Sequence, residues 1–276
     1  MNTNKLRAFV IGGQPVSQNI RRLFDHAASG HKAGYKPHIG LVAHAAKDPV
    51  PDGKTSAADF LELDARVTII TPGSHKNLPP DLDAIYMRGG DQSRMIYALK
   101  HDGLYDQIIA AAARGVLISG NSAGTAALAS KMIAGGMGND KLIACDQLEY
   151  GPGLGLIDGI ILDTHVDAYS RWTRLMAICA ENPGFVVIGL DESTAAYITP
   201  EGAYDRDGAF IIEVSGTSHV YILSQGSRFS TNLNSCERGE AGRRITGLEF
   251  DVFSNGDRIL IPASRKASDI KLLKAR

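Results

Sequence analysis

The chain of 276 residues has few cysteines, a single tryptophan and almost no excess charge of either sign. Its cysteines are Cys145, Cys179 and Cys236, which cannot all pair with one another and form no Cys-x-x-Cys metal or redox pattern. This cysteine usage favours a reduced, cytoplasmic setting. The formal net charge of −1 excludes the basic excess that is expected of non-specific binding to nucleic acid or to a membrane surface.

Long apolar runs are absent as well. Residues Met1–Arg7 are polar, and no apolar segment of signal-peptide length follows them. No window approaches the run of about 18 apolar residues that a membrane span needs. Hydrophobic residues make up 44% of the chain and charged residues 21%, which is typical of a soluble globular protein.

The order of apolar runs predicts an α/β fold. Through the first two thirds of the chain, short apolar runs alternate with helical patterns, as in parallel βαβ units. From about residue 196, apolar and polar residues alternate between glycines and aspartates, which predicts antiparallel hairpins. We expect one domain over residues 1–276, with a core of about 6–195, a β-rich C-terminal part of about 196–276, and a mobile polar loop over Ser224–Arg243.

The most informative segment follows the predicted strand Val116–Ser119. Gly120–Gly124 reads Gly-Asn-Ser-Ala-Gly, and a small-residue helix is predicted over Ala123–Met132. Strand, Gly-x-Ser-x-Gly and helix in this order form the sequence pattern of a nucleophile elbow, which exposes the serine hydroxyl at a sharp turn. Glycines flank Ser122 because a Cβ would clash in so tight a turn. The alternative is an ordinary strand-to-helix turn with an ordinary serine. Residues elsewhere in the chain distinguish between the two.

A serine hydroxyl needs an adjacent base, and the base needs a third group to orient it. His165 directly follows a predicted strand over Gly159–Leu162, at the edge of the sheet where Ser122 should emerge. We therefore predict Ser122 as the nucleophile and His165 as the base.

The orienting acid stays open between Asp140, Asp146 and Glu149, which lie between the serine and the histidine. We prefer Asp140, because its glycine-rich loop could fold over the site.

Five segments in order resemble the cyanophycinase and aspartyl dipeptidase family of serine exopeptidases. The similarity extends over about residues 87–195. The matching segments are Gly89–Gln92, Gly120–Gly124, Gly151–Leu156, Asp163-x-His165 with Arg171 and Arg174, and Gly189–Ala195.

The resemblance implies a flavodoxin-like fold akin to class I glutamine amidotransferases: a mostly parallel sheet flanked by helices, here with a β-rich C-terminal extension. It implies Ser122 as nucleophile, His165 as base and then acid, and an oxyanion hole from the N–H groups of Gly90 and Ala123. It also implies a homodimer. Neither a cofactor nor a metal is expected, since the sequence shows no ligand cluster for one.

Family members cleave peptide bonds next to aspartyl residues, and cyanophycinases cleave β-aspartyl-arginine units. The resemblance therefore implies a small peptide or isopeptide substrate with an aspartyl residue. The residues that would bind the aspartyl group are Gln92, Asp163, Thr164, Arg171 and Arg174.

The chain departs from the cyanophycinase pattern at these binding positions. Thr164 replaces a glutamine, Val166 an aromatic residue and Tyr169 a basic residue. Because an arginine fork and a tyrosine differ in charge and in hydrogen bonding, we expect the catalytic machinery to be retained and the substrate contacts to be altered.

Two other functions remain to be weighed. A catalytically silent protein could bind an aspartyl ligand in the same cleft without a working triad. An amidotransferase-like subunit generally has cysteine at the elbow, so Ser122 weighs against it. A dinucleotide-binding reading of Gly12 and Gly13 fails, because no complete Gly-x-Gly-x-x-Gly follows the first strand.

Overall fold

The computed structural model describes residues 6–136, 148–202, 205, 207–233 and 244–274. The helices are α1 (Ser17–Ala28), α2 (Pro49–Leu61), α3 (Gln92–His101), α4 (Tyr105–Ala113), α5 (Ala123–Ala126) and α6 (Trp172–Glu181). The strands are β1 (Ala8–Ile11), β2 (His38–Val42), β3 (Arg66–Ile70), β4 (Ala84–Met87), β5 (Leu117–Asn121), β6 (Lys131–Gly136), β7 (Leu148–Pro152), β8 (Ile160–Thr164), β9 (Val186–Leu190), β10 (Thr194–Pro200), β11 (Phe210–Gly216), β12 (Val220–Thr231), β13 (Ile245–Phe253), β14 (Arg258–Ile261) and β15 (Lys271–Leu273). Among the described helices, none combines the length and apolar character that a membrane crossing requires.

The largest sheet has nine strands in the order β15-β14-β11-β10-β1-β5-β4-β2-β3. Neighbouring strands pair in parallel through β1, β5, β4, β2 and β3. On the other side of β1, neighbouring strands pair antiparallel through β10, β11, β14 and β15. The α/β fold with a β-rich C-terminal region is confirmed. The β-rich region supplies β11, β14 and β15 to the same sheet as the parallel strands.

A second sheet carries part of the functional site. Its order is β13-β12-β9-β8, and β8 and β9 form a parallel pair that α6 connects. Strand β12 runs on to Thr231 and pairs with β13, so Ser224–Thr231, predicted as part of a mobile loop, is strand. Backbone hydrogen bonds between β12 and β13 hold these polar residues in a strand. A hydropathy pattern does not reveal this pairing.

The parallel strands β1, β2 and β4 are buried along their whole length, β5 along all but its last residue, and the edge strand β3 only in part. Alternate residues of β1 belong to two different apolar clusters, with Ala8 and Val10 in one and Phe9 and Ile11 in the other. Because successive side chains of a strand point to opposite faces, the two clusters cover the two faces of the sheet. This double burial explains why these strands read as continuous apolar runs.

Helix α5 ends at Ala126, well before the predicted end at Met132. The segment Gly151–Leu156 runs alongside the following residues, where the Leu154 N–H donates to Ala127 O at 2.7 Å. A Cβ on Gly153 would lie 2.2 Å from Ala129 O, so only glycine permits this approach. The backbone of this glycine-rich segment thus binds carbonyls that a longer helix would have used.

Candidate active site

Ser122 lies at the turn between β5 and α5 in a strained backbone conformation. Its φ is 53° and its ψ is −115°, outside the regions that L-residues ordinarily occupy. Its N–H donates to Ile11 O at 3.0 Å, and its carbonyl accepts from Ala126 N at 3.1 Å. Strain of this kind persists only where the surroundings fix it, and it is concentrated at functional sites.

The two glycines of the Gly-x-Ser-x-Gly segment are required by close backbone contacts. A Cβ on Gly120 would lie 2.3 Å from the carbonyl of Gly124, and a Cβ on Gly124 would lie 2.1 Å from Met87 O. Real Cβ atoms do not approach backbone this closely. The turn at Ser122 therefore has the tight packing that the sequence pattern predicts for a nucleophile elbow.

Ser122, His165 and Glu192 form a continuous hydrogen-bonded chain. His165 Nε2 lies 2.7 Å from Ser122 Oγ, and His165 Nδ1 lies 2.7 Å from Glu192 Oε1. The side chains of His165 and Glu192 are 12% and 21% exposed. Because a carboxylate only accepts, a neutral imidazole here carries its proton on Nδ1, and Nε2 accepts from the serine hydroxyl.

The second sheet brings the histidine and the glutamate together. Thr164, the last residue of β8, pairs with Leu190, the last residue of β9. His165 follows β8 directly, and Glu192 is the second residue after β9. Parallel strands end at the same edge of a sheet, so Glu192 reaches His165, and His165 reaches Ser122, from one edge. His165 has a positive φ of 54°, a second strained residue of the site.

The acid that is hydrogen-bonded to His165 is Glu192, which the sequence did not single out. Asp140 and Asp146 lie outside the described residues. Glu149 belongs to β7, and its carboxylate lies near Gly135 of β6. The structure places Glu192 on Nδ1 of His165, which corrects the search among acids between the serine and the histidine. A usable signal was present, because Glu192 follows a predicted strand in the Gly189–Ala195 segment.

The Gly89–Gly90 turn lies beside the elbow. A Cβ on Gly89 would lie 3.2 Å from Ser122 Cβ. Gly90 has a φ of 146°, and a Cβ there would lie 2.1 Å from Ala45 O. The amide of Ala123 is the first of α5 and has no intrahelical acceptor. The oxyanion-hole assignment to the N–H groups of Gly90 and Ala123 stays a prediction.

Gln92 lies at the start of α3, directly after this turn. Its Nε2 donates to Ile133 O at 2.6 Å, and the hydroxyl of the neighbouring Ser93 donates to Ala134 O at 2.8 Å. Both acceptors belong to β6. The contacts that the structure gives for Gln92 therefore connect α3 to β6, and a contact with substrate stays a prediction.

Comparison with known proteins now decides the family. Residues 55–204, just over half of the chain, match the model of peptidase family S51. The chain belongs to this family. It is 28% identical to a cyanophycinase of Geminocystis herdmanii over 90% of this chain and 91% of that protein. It is also 28% identical to a cyanophycinase of a Nostoc species, over 92% of this chain and 85% of that protein.

Solved structures agree with the fold. A crystal structure of a peptidase from an acI-B1 Actinobacterium has a TM-score of 0.61 at 17% identity, covering 93% of this chain and 98% of that chain. A putative peptidase E protein from Listeria monocytogenes has a TM-score of 0.51 at 14% identity, covering 78% and 100%. The family and the relatives together establish a serine-type peptidase.

In this S51 peptidase, the predicted substrate-binding residues at the end of β8 and after it are largely bound to one another. Asp163 is buried, and its carboxylate lies 2.9 Å from Arg174 Nε. Arg171 NH1 lies 3.6 Å from the same carboxylate and donates to Thr164 O at 2.6 Å. The side chains of Asp163 and Thr164 are buried, and contact of either with substrate stays a prediction. Arg174 is paired with Asp163 and is 11% exposed, and its contact with substrate also stays a prediction.

Tyr169 lies against His165, the predicted base of this S51 peptidase. Its ring stacks on the His165 imidazole with centroids 4.9 Å apart and planes inclined by 19°. The guanidinium carbon of Arg171 lies 5.0 Å from the centroid of the Tyr169 ring. Tyr169 is half exposed. The position that the resemblance assigns to a basic residue therefore holds an aromatic ring that contacts both Arg171 and His165.

Proposed function

We propose that this peptidase cleaves a peptide or isopeptide bond next to an aspartyl residue, through an acyl-enzyme on Ser122. The observation that carries the proposal is the unbroken chain from Glu192 through His165 to Ser122, with both contacts at 2.7 Å. This arrangement matches the roles of nucleophile, base and orienting acid that serine hydrolysis needs.

In the first half of the reaction, Ser122 Oγ attacks the substrate carbonyl and gives its proton to His165 Nε2. Glu192 accepts the hydrogen bond from Nδ1–H and stabilises the imidazolium that forms. The N–H groups of Ala123 and Gly90 are the proposed donors to the oxyanion. When the tetrahedral intermediate collapses, the leaving amine takes the proton from His165 Nε2, and an ester on Ser122 remains.

In the second half, water replaces the amine. His165 Nε2 takes a proton from the water as its oxygen attacks the ester carbonyl. Collapse of the second tetrahedral intermediate breaks the bond to Ser122 Oγ, and the proton returns from Nε2 to the serine. The acyl part leaves as a carboxylic acid, and the three residues regain their starting protonation.

The aspartyl preference is supported by the relatives and by one arginine. The curated relatives are cyanophycinases. Arg171 is 17% exposed and lies over Tyr169, which stacks on the catalytic histidine. A guanidinium that contacts the ring stacked on His165 is suited to bind a substrate carboxylate. We therefore assign substrate recognition to Arg171, with Asp163 and Arg174 holding its loop in place.

The test is hydrolysis of a peptide panel followed by mass spectrometry. The panel contains β-Asp-Arg, β-Asp-Lys, β-Asp-Leu, α-Asp-Leu and cyanophycin, each with wild type, Ser122→Ala and the exposed-serine control Ser74→Ala. We expect cleavage of at least one aspartyl substrate by wild type and the control, and none by Ser122→Ala. Cleavage by Ser122→Ala at the wild-type rate would overturn the nucleophile, and cleavage of only non-aspartyl peptides would overturn the specificity. A silent binding protein would cleave nothing and would not react with a covalent serine probe. The homodimer and the cytoplasmic setting stay predictions.

A further inference from the structure

Three consecutive carbonyl groups at the end of β1 each bind one segment of the triad. Ile11 O accepts from the N–H of Ser122 at 3.0 Å. Gly12 O accepts from the N–H of His165 at 2.9 Å. Gly13 O accepts at 3.0 Å from the N–H of Ser193, the residue after Glu192. Three catalytic segments that are far apart in sequence are thus aligned on one tripeptide.

A buried threonine fixes this tripeptide to the elbow. Thr125 lies in α5, three residues after the nucleophile, and is completely buried. Its Oγ1 accepts from Ile11 N at 3.0 Å and lies 2.8 Å from Ile11 O and 2.7 Å from Gly120 O. One hydroxyl therefore connects the end of β1 to the first glycine of the elbow.

Gly13 also contacts the imidazole itself. It has a φ of 135°, and a Cβ there would lie 2.1 Å from Cε1, 2.5 Å from Nδ1 and 2.7 Å from Nε2 of His165. Any side chain at residue 13 would therefore occupy the space that the imidazole fills when it reaches Ser122 and Glu192. The sequence predicts no phosphate-binding role for Gly12 and Gly13. The contacts with His165 instead place Gly13 in the active site.

We propose that Ile11–Gly13 is the template that sets the register of the triad, and that Gly13 is a positioning residue for His165. The proposal rests on the proposed roles of Ser122 and His165. The tripeptide lies outside residues 55–204, which match the family model. It supplies no group to the reaction, so its effect is on the geometry of the residues that do.

The first test is Gly13→Ala. The added methyl group meets a side chain that can move, so we expect the protein to fold and the imidazole to leave its position. Displacing a catalytic group by about 1 Å can cost about 10²-fold in rate. We expect kcat and the rate of labelling by a fluorophosphonate probe to fall at least about 100-fold, with KM changing little. The matched control is Gly256→Ala, which also has a positive φ, of 96°, but has nothing within 4 Å of the added methyl.

A second pair of variants keeps the test decisive if Gly13→Ala fails to fold. Thr125→Val removes the hydroxyl that connects Ile11 to the elbow, and Thr125→Ser keeps it. We expect Thr125→Val to lower kcat and the labelling rate at least tenfold at temperatures far below its melting temperature. Thr125→Ser should restore both quantities to near the wild-type values.

The outcomes separate this proposal from the proposed function. Wild-type labelling that is lost in Ser122→Ala, together with unchanged labelling of folded Gly13→Ala and of Thr125→Val, would overturn the template alone. Absence of labelling and of hydrolysis in the wild type would instead overturn the proposed function. A fall in kcat for both template variants, with full activity in Gly256→Ala and Thr125→Ser, would support the template.

Discussion

Replacing Glu192 by glutamine tests the acid that the structure assigns. The change keeps the shape of the side chain and removes the charge that accepts the hydrogen bond from His165 Nδ1 at 2.7 Å. A hydrogen bond to a charged group is worth about 1.5–3 kcal/mol, and every 1.4 kcal/mol or so changes a rate about tenfold. The side chains of His165 and Glu192 are only 12% and 21% exposed, so screening by solvent reduces this hydrogen-bond energy little.

The amide adds a second effect. If its NH₂ group donates to Nδ1, the imidazole proton moves to Nε2, which can then no longer accept the proton of Ser122. Such a tautomer change in a serine triad costs about 10⁴-fold in kcat. We therefore expect kcat of Glu192→Gln to fall by roughly 10- to 150-fold from the lost charge alone and by up to about 10⁴-fold with the wrong tautomer. Steady-state hydrolysis of the best panel substrate measures this.

Three matched variants decide between Glu192 and the acids that the sequence left open. Asp140→Asn, Asp146→Asn and Glu149→Gln each remove one carboxylate charge in the same way. We expect all three to keep kcat within a few-fold of wild type. A large loss in Asp140→Asn together with near wild-type activity of Glu192→Gln would refute the assignment.

Three further variants test the recognition role proposed for Arg171 and the buried His44. Arg171→Met should raise KM for aspartyl substrates about tenfold or more, and should affect the matching asparaginyl peptides much less. Arg171→Lys should lie between, and an equal effect on both peptides would rule out carboxylate recognition by Arg171. Burial lowers the pKa of His44 below its ordinary value of 6.5, although the hydrogen bond with Asp102 opposes the shift. The unfolded chain therefore binds a proton below about pH 6.5 that folded His44 resists, so stability falls as the pH drops through this range. The melting temperature of His44→Gln should fall less steeply than that of wild type between about pH 7 and 5, and equal slopes would contradict this.

The parts of the site that depend on local sequence were predictable. The elbow at Ser122 can be predicted from five consecutive residues, because the close backbone contacts of the turn require glycine at Gly120 and Gly124. The position of His165 followed from its place at the end of a predicted strand. The α/β class followed from continuous apolar runs alternating with helical patterns, since buried parallel strands need apolar residues on both faces.

The parts that depend on pairing between distant segments were not predictable. Glu192 follows a predicted strand, but the sequence does not show that β8 and β9 pair and end in register, which brings Glu192 to His165. The helix after Ser122 was predicted too long because small residues favour helix. The backbone of Gly151–Leu156 binds the carbonyls beyond Ala126 instead.

The most direct test of the central claim is to locate a covalent adduct. Wild-type protein is treated with a fluorophosphonate probe, digested, and analysed by mass spectrometry in parallel with Ser122→Ala and His165→Ala. The account predicts a single adduct on the peptide that contains Ser122, lost in Ser122→Ala and strongly slowed in His165→Ala. An adduct on another residue, or aspartyl-peptide hydrolysis that persists in Ser122→Ala, would contradict it.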